Sequence, residues 1–246
     1  MSVTWNPWHG CKKLSTGCQN CYVYRQDFKF EKDSSIVTKN ASFNLPTRKN
    51  RNGSYKIPSG EMVFTCFTSD FFLKETDAWR EVVWKMIKER TDLNFFIITK
   101  RPDRFFISLP DDWRGGYENV YVSCTVENQK MADFRLPIFL KLPIKHKFIA
   151  VSPLLEKINL LPYLNNEIEE VVVGGESGKF ARICDYRWVL NLRNQCISKD
   201  VPFWFHQTGS KLYKDGKLYN IPRKYHHSQA EKANINYKTE KFKEEK

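Results

Sequence analysis

Residues 62–99 read MVFTCFTSDFFLKETDAWREVVWKMIKERTDLNFFIIT, and this stretch decides the fold. Met62–Phe67 and Asn94–Thr99 are short runs rich in β-branched and aromatic residues, as strands buried on both faces require. Between them, Thr76–Arg90 places Trp79, Val82, Val83, Met86 and Ile87 at i, i+3, i+4, i+7 and i+8, which is one stripe of a helix. Strand, helix and strand at this spacing predict a parallel sheet joined by right-handed crossovers.

The same rhythm continues outward. Asn119–Cys124, Lys147–Ser152, Glu169–Gly174 and Pro202–His206 are further strand candidates, and Val3–Trp8 holds a short one. A second helix is expected to open at Asp185, a residue type suited to N-capping, and to bury Trp188, Val189, Leu192 and Cys196. Six or seven such strands place the chain in the α/β class, as a parallel (β/α) barrel or partial barrel rather than an open sheet. Residues 36–60 lack periodicity and hold turn formers, so they read as an excursion within one domain spanning 1–222. From Arg223 to Lys246 the chain is charged with no apolar stripe, and a flexible tail is expected.

Composition narrows the class further. The chain has 246 residues, 41% hydrophobic and 15% aromatic, enough to build its own core. No run approaches the ~18 apolar residues of a membrane helix, and the N-terminus shows no basic segment followed by an apolar block. Seven cysteines, an odd number in a chain of this length, point to a reducing, cytoplasmic setting with thiols open to metal. The formal net charge of +12 points to an anionic partner such as a nucleotide or nucleic acid, or else to plain solubility. Between Lys39 and Gly60 lie five basic residues (Lys39, Arg48, Lys49, Arg51, Lys56) and no acidic one.

The strongest chemical signal is Cys11-x6-Cys18-x2-Cys21, followed at once by Tyr22. Two thiolates two residues apart can share one metal centre, because the intervening turn aims both inward, and Cys11 can close the same site across the Gly17 turn. Three thiolates leave one coordination position open, as in a [4Fe–4S] cluster with one iron available to a ligand. His9 offers the alternative, a fourth ligand completing a structural Cys3His zinc site. Cys66, Cys124, Cys184 and Cys196 fall on predicted strands or on a helix and its approach, and are expected in the core.

Polar residues gather just after each predicted strand: Ser69 and Asp70, Lys100 and Arg101, Glu127 and Asn128, Ser152, Gly174 to Glu176, and His206 with Gln207. Parallel barrels build their active sites at these carboxyl ends. In VVVGGESG at 171–178, Gly174 and Gly175 would let a ligand approach the backbone, with Glu176 as acceptor for an amine or hydroxyl. Lys100 and Arg101 suit a phosphate or carboxylate. Each position also has a simpler reading: a helix cap for Asp70, a salt-bridged turn for Arg101, a solvated loop for Glu127, a tight turn for the glycines.

Taken in order, TWNPWHGC (4–11), the C-x6-C-x2-C-Y segment, TKRP (99–102), VENQ (126–129), PLL (153–155), GGESG (174–178) and VPFWF (201–205) resemble a phage-associated family of uncharacterised three-cysteine-motif proteins, over residues 3–210. That family is similar to radical S-adenosylmethionine (SAM) enzymes. The resemblance implies a partial α/β barrel with a [4Fe–4S] cluster on Cys11, Cys18 and Cys21, and SAM on the open iron. Reductive cleavage of SAM would start radical chemistry, on a nucleotide or nucleic acid if the basic excursion is a guide. On this reading Asp70, Lys100 and Glu176 are catalytic candidates, and Tyr22, Ser69, Gly174, Gly175 and Glu176 lie at the cofactor. Arg101, Glu127, Asn128, Ser152, His206 and Gln207 lie at the substrate. An electron donor such as flavodoxin or ferredoxin is implied, and a companion protein would fit.

The sequence also departs from the pattern. The first cysteine gap is six residues where radical SAM enzymes usually have three, and Asn20 rather than an aromatic precedes the last cysteine. Ser152 and His206-Gln-Thr-Gly stand where the closer family has Glu and Lys-Gln-Trp-Gly. The competing readings are a non-catalytic nucleic-acid-binding protein with structural zinc, and an accessory subunit acting through a partner.

Overall fold

The computed structural model describes residues 2–239, which divide into two units: residues 2–13, 23–124 and 141–146, and residues 14–22, 125–140 and 147–239. The first holds β1 (Ser2–Trp5), β2 (Trp8–His9), α1 (Tyr22–Phe28), β3 (Thr38–Lys39), β4 (Met62–Thr65), α2 (Asp77–Glu89), β5 (Asn94–Thr99) and β6 (Val120–Thr125). β1, β4, β5 and β6 pair in parallel in that order, so Trp5, Thr65, Ile97 and Val122 form one buried row across four strands. Within NFFIIT the four central residues are all apolar, yet Phe95, Ile97 and Thr99 are fully buried while Asn94, Phe96 and Ile98 are only half-buried. Both faces are therefore covered, but unequally.

Helix α2 forms where its period predicts, with one correction to its stripe. Val83, Met86 and Ile87 are buried and Trp79 is half-buried, but Val82 is 45% exposed. Arg80 and Trp84 take the buried places. A guanidinium is tolerated there because Arg80 donates to the carbonyls of Phe71 (3.0 Å) and Leu73 (3.2 Å). Trp84 packs edge-on against Phe71, with ring centroids 4.9 Å apart. The 36–60 excursion holds only the β3 pairing to β2, a 3-10 turn at Leu45–Thr47 and a hairpin closed by a Lys49–Tyr55 bridge.

The second unit carries α3 (Gln129–Leu140), β7 (His146–Val151), β8 (Ile168–Gly174), β9 (Cys184–Asp185), α4 (Tyr186–Ser198), β10 (Phe203–Gln207), β11 (Lys211–Lys214), β12 (Lys217–Asn220) and α5 (His226–Lys232). β7, β8 and β10 are parallel, aligning Ile149, Val171 and Phe203, then Val151, Val173 and Phe205. Asp185 caps α4 by accepting from the Arg187 amide at 2.8 Å. Val189, Leu192 and Cys196 are buried as expected, and Trp188 is half-buried. Gln195 is drawn in as well, donating to Ile158 O (2.9 Å) and accepting from Leu160 N (2.6 Å).

The seven parallel strands belong to one sheet, in the order β1-β4-β5-β6-β7-β8-β10, with β1 and β10 as its outermost strands. This is the parallel (β/α) partial barrel expected from the 62–99 unit. The segment from Arg223, expected to be a charged tail, carries secondary structure over its described part. Residues Arg223–Tyr225 make a 3-10 turn, α5 buries His226 and Ala230, and Tyr237 pairs with Phe203. These elements escaped the sequence reading because they rest on single residues among charges; residues 240–246 lie outside the described residues. Among the described residues no helix is long and apolar enough to cross a membrane.

Candidate functional site

In the first unit the chain leaves β1, passes Gly10 at φ +90° and reaches Cys11. A Cβ on Gly10 would meet the Ile36 carbonyl oxygen at 2.3 Å, so only glycine fits. Cys11 N donates to Ser34 O at 2.7 Å, and the Tyr24 hydroxyl donates to the Cys11 carbonyl. His9, the alternative zinc ligand, is engaged elsewhere: its Nε2 lies 2.7 Å from Asp27 Oδ2. Burial would raise the Asp27 carboxyl, but hydrogen bonds from Ser34 and His9 outweigh it and hold it below its ordinary value.

Asp70 is buried at the end of β4 and saturated. Its Oδ1 accepts from Thr99 Oγ1 (2.7 Å) and Phe72 N (3.0 Å), and its Oδ2 accepts from Lys100 N (2.9 Å) and Arg101 Nη1 (3.0 Å). Arg101, also buried, uses its other nitrogen to donate to Lys12 O at 2.6 Å, and the Ser69 hydroxyl donates to Gly10 O. Ser69 and Arg101, the latter held by Asp70, thus reach the backbone at residues 10–12, whereas the Lys100 side chain stays half-exposed. Cys66, at φ +67°, is buried; desolvation, then the charges of Asp70 and Cys11, push its thiol well up, consistent with a core role.

In the second unit Cys18 and Cys21 sit at either end of a tight turn, with Cys21 N donating to Cys18 O at 3.3 Å. None of the seven cysteines is in a disulfide, and Cys11, Cys18 and Cys21 are partly exposed while the other four are buried. The turn is gripped from the strand ends. Gly17 N donates to Glu127 Oε1 at 3.1 Å, and a Cβ on Gly17 would lie 2.8 Å from Glu127 Cδ. Glu127 Oε2 pairs with Arg135 Nη1 at 2.8 Å, both side chains being fully buried. Asn128 donates to Thr16 Oγ1 (3.1 Å) and accepts from Met131 N (2.9 Å), which fixes the start of α3.

Glu176 is equally committed. Its Oε2 accepts from Asn20 Nδ2 (3.0 Å), Arg182 N (2.8 Å) and Arg182 Nε (2.9 Å), and its Oε1 pairs with Arg182 Nη2. Burial raises this carboxyl, but Arg182 and Asn20 together keep it below its ordinary value, so it stays ionised. Arg182 Nη2 also donates to Thr16 O (3.0 Å), and Asn20 to Phe180 O (2.8 Å). Glu127 thus holds the Gly17 amide, Asn128 the Thr16 hydroxyl and Glu176 the Asn20 side chain.

The close approach permitted by Gly174 and Gly175 is filled by the chain itself. Added Cβ atoms would lie 2.7 Å from His206 Nε2 and 2.2 Å from Thr208 O, and Gln207 Nε2 donates to Gly175 O at 2.9 Å. Ser152 Oγ lies 3.4 Å from His206 Nε2, and His227 Nδ1 donates to His206 O at 2.7 Å. Tyr22 is exposed at the start of α1. Arg135, Arg182 and Asn20 were not anticipated. Arg135 carried a signal, since a lone cation in the apolar run FRLPIFL needs a buried partner.

Burial, then the neighbouring His227, lowers the His206 ring to about 4 from an ordinary 6.5. A depressed folded value means that its stabilising contribution is complete above 6.5 and is lost as pH falls from 6.5 towards 4. The expected loss across that window is about 2–3 kcal/mol, and His206→Gln should remove it. Urea denaturation at both ends of the window checks this.

Three partly exposed thiols within eleven residues supply the donor type and number that a three-cysteine cluster needs. Among the described residues no three His, Cys, Asp or Glu side chains are gathered into a metal-holding group, so the fit lies in donor chemistry and accessibility. No curated protein matches the chain. It is similar to the solved structure of spore photoproduct lyase complexed with dinucleoside spore photoproduct, at a TM-score of 0.44 and 11% identity, covering 93% of this chain and 70% of that one. A family model described as a protein of unknown function, DUF5131, matches residues 1–244; the chain belongs to that family.

Proposed function

We propose that this protein is a radical-SAM-like enzyme in which Cys11, Cys18 and Cys21 hold a [4Fe–4S] cluster. The observation that carries it is the holding of the cysteine loop. Gly17, Thr16 and Asn20 are each tied to a strand-end side chain or its partner, while the Cys18 and Cys21 thiols remain partly exposed. A loop built to serve only as a surface turn needs no buried Glu127–Arg135 pair beneath it. When bound, the cluster would supply an open iron for SAM and the electron for its reductive cleavage.

The chain's own residues divide the remaining work. Glu127 and Glu176 fix the loop carrying Cys18 and Cys21, and Arg101 fixes the carbonyl following Cys11. The neutral His206 ring and the Ser152 hydroxyl would present a donor and an acceptor to a substrate without adding charge. Lys100, half-exposed beside the Asp70–Arg101 pair, would meet a phosphate. Together with the net charge of +12 these features favour a nucleotide or nucleic-acid substrate; a reduced cluster would in turn call for a reducing cytoplasmic setting and an electron-donor protein.

Anaerobic reconstitution followed by iron, sulfide and zinc analysis tests this, with reduced-state EPR recorded with and without SAM. About four irons per chain are expected, lost in Cys18→Ala, with a spectrum shifted by SAM. One zinc per chain, no sulfide and no response to SAM would overturn the assignment in favour of a structural zinc protein.

A further inference from the structure

The excursion between β3 and β4 carries a feature that the cysteine site does not use. Lys49, Arg51 and Lys56 are displayed on a rigid hairpin: Asn50 N donates to Ser54 O (2.8 Å), Lys56 N donates to Arg48 O (2.8 Å), and Lys49 bridges to Tyr55. Gly53, at φ +83°, turns the tip over open space. Arg90, fully buried at the end of α2, fastens the base. Its Nη2 donates to Ile57 O (2.8 Å), its Nη1 to Pro46 O and its Nε to Asp92 Oδ1 (2.7 Å), with its Cζ 4.0 Å from the centre of the Tyr55 ring.

Lys39, Lys49, Arg51 and Lys56 are exposed, as are Asn50, Asn52 and Ser54. The adjoining carboxylates are engaged: Glu89 accepts from the Tyr55 hydroxyl at 2.9 Å, and the Arg90 guanidinium holds Asp92 below its ordinary value. We propose that this hairpin is an interaction surface for the phosphate backbone of duplex nucleic acid.

Three features select that partner. No large hydrophobic residue is exposed between Lys39 and Gly60, so the hairpin lacks the apolar anchor that an acidic protein partner would bury. Lysine, arginine, asparagine and serine are the side chains that contact phosphate oxygens. The two aromatics of the segment are already covered by cations, Phe43 by Lys39 at 4.4 Å and Tyr55 by Lys49 at 5.1 Å and Arg90, so stacking of single-stranded bases is not offered. Rigidity adds to this, because little chain entropy is lost on binding.

The hairpin leads into β4, and Gly60 N donates to Asp92 O (2.7 Å) at the amino ends of β4 and β5. It therefore lies at the other end of these strands from Ser69, Asp70 and Arg101. Its contacts hold the polymer without regard to sequence and take no part in chemistry. The inference goes beyond the cluster reading and does not depend on it.

Fluorescence anisotropy of the full chain with a ~25-bp DNA duplex, titrated at several KCl concentrations without SAM or cluster, is the test. Lys49→Glu/Arg51→Glu/Lys56→Glu should weaken binding at least about tenfold at roughly 100 mM KCl and flatten the log–log salt slope by about 3. The matched triple Lys141→Glu/Lys199→Glu/Lys232→Glu, at exposed positions elsewhere, should change neither by as much. Unaltered binding in the hairpin triple overturns the proposal, as does an equal loss in the control triple. Tighter binding of single-stranded DNA, or equal competition by polyglutamate, also overturns it.

Discussion

Glu127→Ala is expected to lower the unfolding free energy by about 3–5 kcal/mol. Arg135, fully buried, finds its carboxylate only in Glu127, and its Nε and Nη2 have no hydrogen-bond partner among the described residues. Removing Glu127 leaves that buried cation without its carboxylate and deprives Gly17 N of its acceptor. Glu127→Ala/Arg135→Met should recover part of the loss, because the pair is then replaced by apolar volume rather than broken. Urea denaturation measures both variants. A loss below about 1 kcal/mol in the single variant would show that the pair is screened and does not support the loop. Iron loading of the folded single variant gives an independent readout, expected to fall because the Cys18 turn is no longer fixed.

Asp70→Ala is expected to cost about 3–4 kcal/mol by the same physics acting in the other unit. Four donors converge on this carboxylate, one of them buried Arg101. Asp70→Asn should be nearly as harmful, since an amide nitrogen in place of Oδ2 would face the Lys100 amide and Arg101, donor against donor. With Asp70 gone, Arg101 is no longer aimed at Lys12 O, so the Lys12–Lys13 segment should become more susceptible to limited trypsin digestion than in the unaltered protein. Unchanged stability together with unchanged cleavage would remove Asp70 from this positioning role.

The contrast between these two residues and the cysteines shows what was legible in the chain. Glu127, Asp70 and Glu176 could be located at strand ends, because a strand's extent follows from local runs such as NFFIIT and VVVGG. Their roles could not be read. Asp70 draws on Arg101, Glu127 on Gly17 and Arg135, and Glu176 on Asn20, with separations of 110 residues for Gly17–Glu127 and 156 for Asn20–Glu176. A carboxylate near a strand end looks the same in sequence whether it faces a ligand or a buried arginine; only the identity of its neighbours decides. Val82 and Arg80 illustrate the same limit in α2, where two backbone carbonyls made a guanidinium the better buried residue.

The sequence by itself determined the alternation of strands and helices, the parallel α/β class, the N-cap at Asp185 and the division of the cysteines into four core residues and three on a loop. These follow from periodicity, capping chemistry and spacing, all of which act over a few residues. Only the tertiary structure decided that the strand-end polar residues grip the cysteine loop, that Gly174 and Gly175 make room for β10, and that Arg90 turns a basic excursion into a rigid hairpin. Those outcomes rest on hydrogen bonds and close contacts between segments far apart in the chain, whose partners are fixed only once the sheet has brought them together.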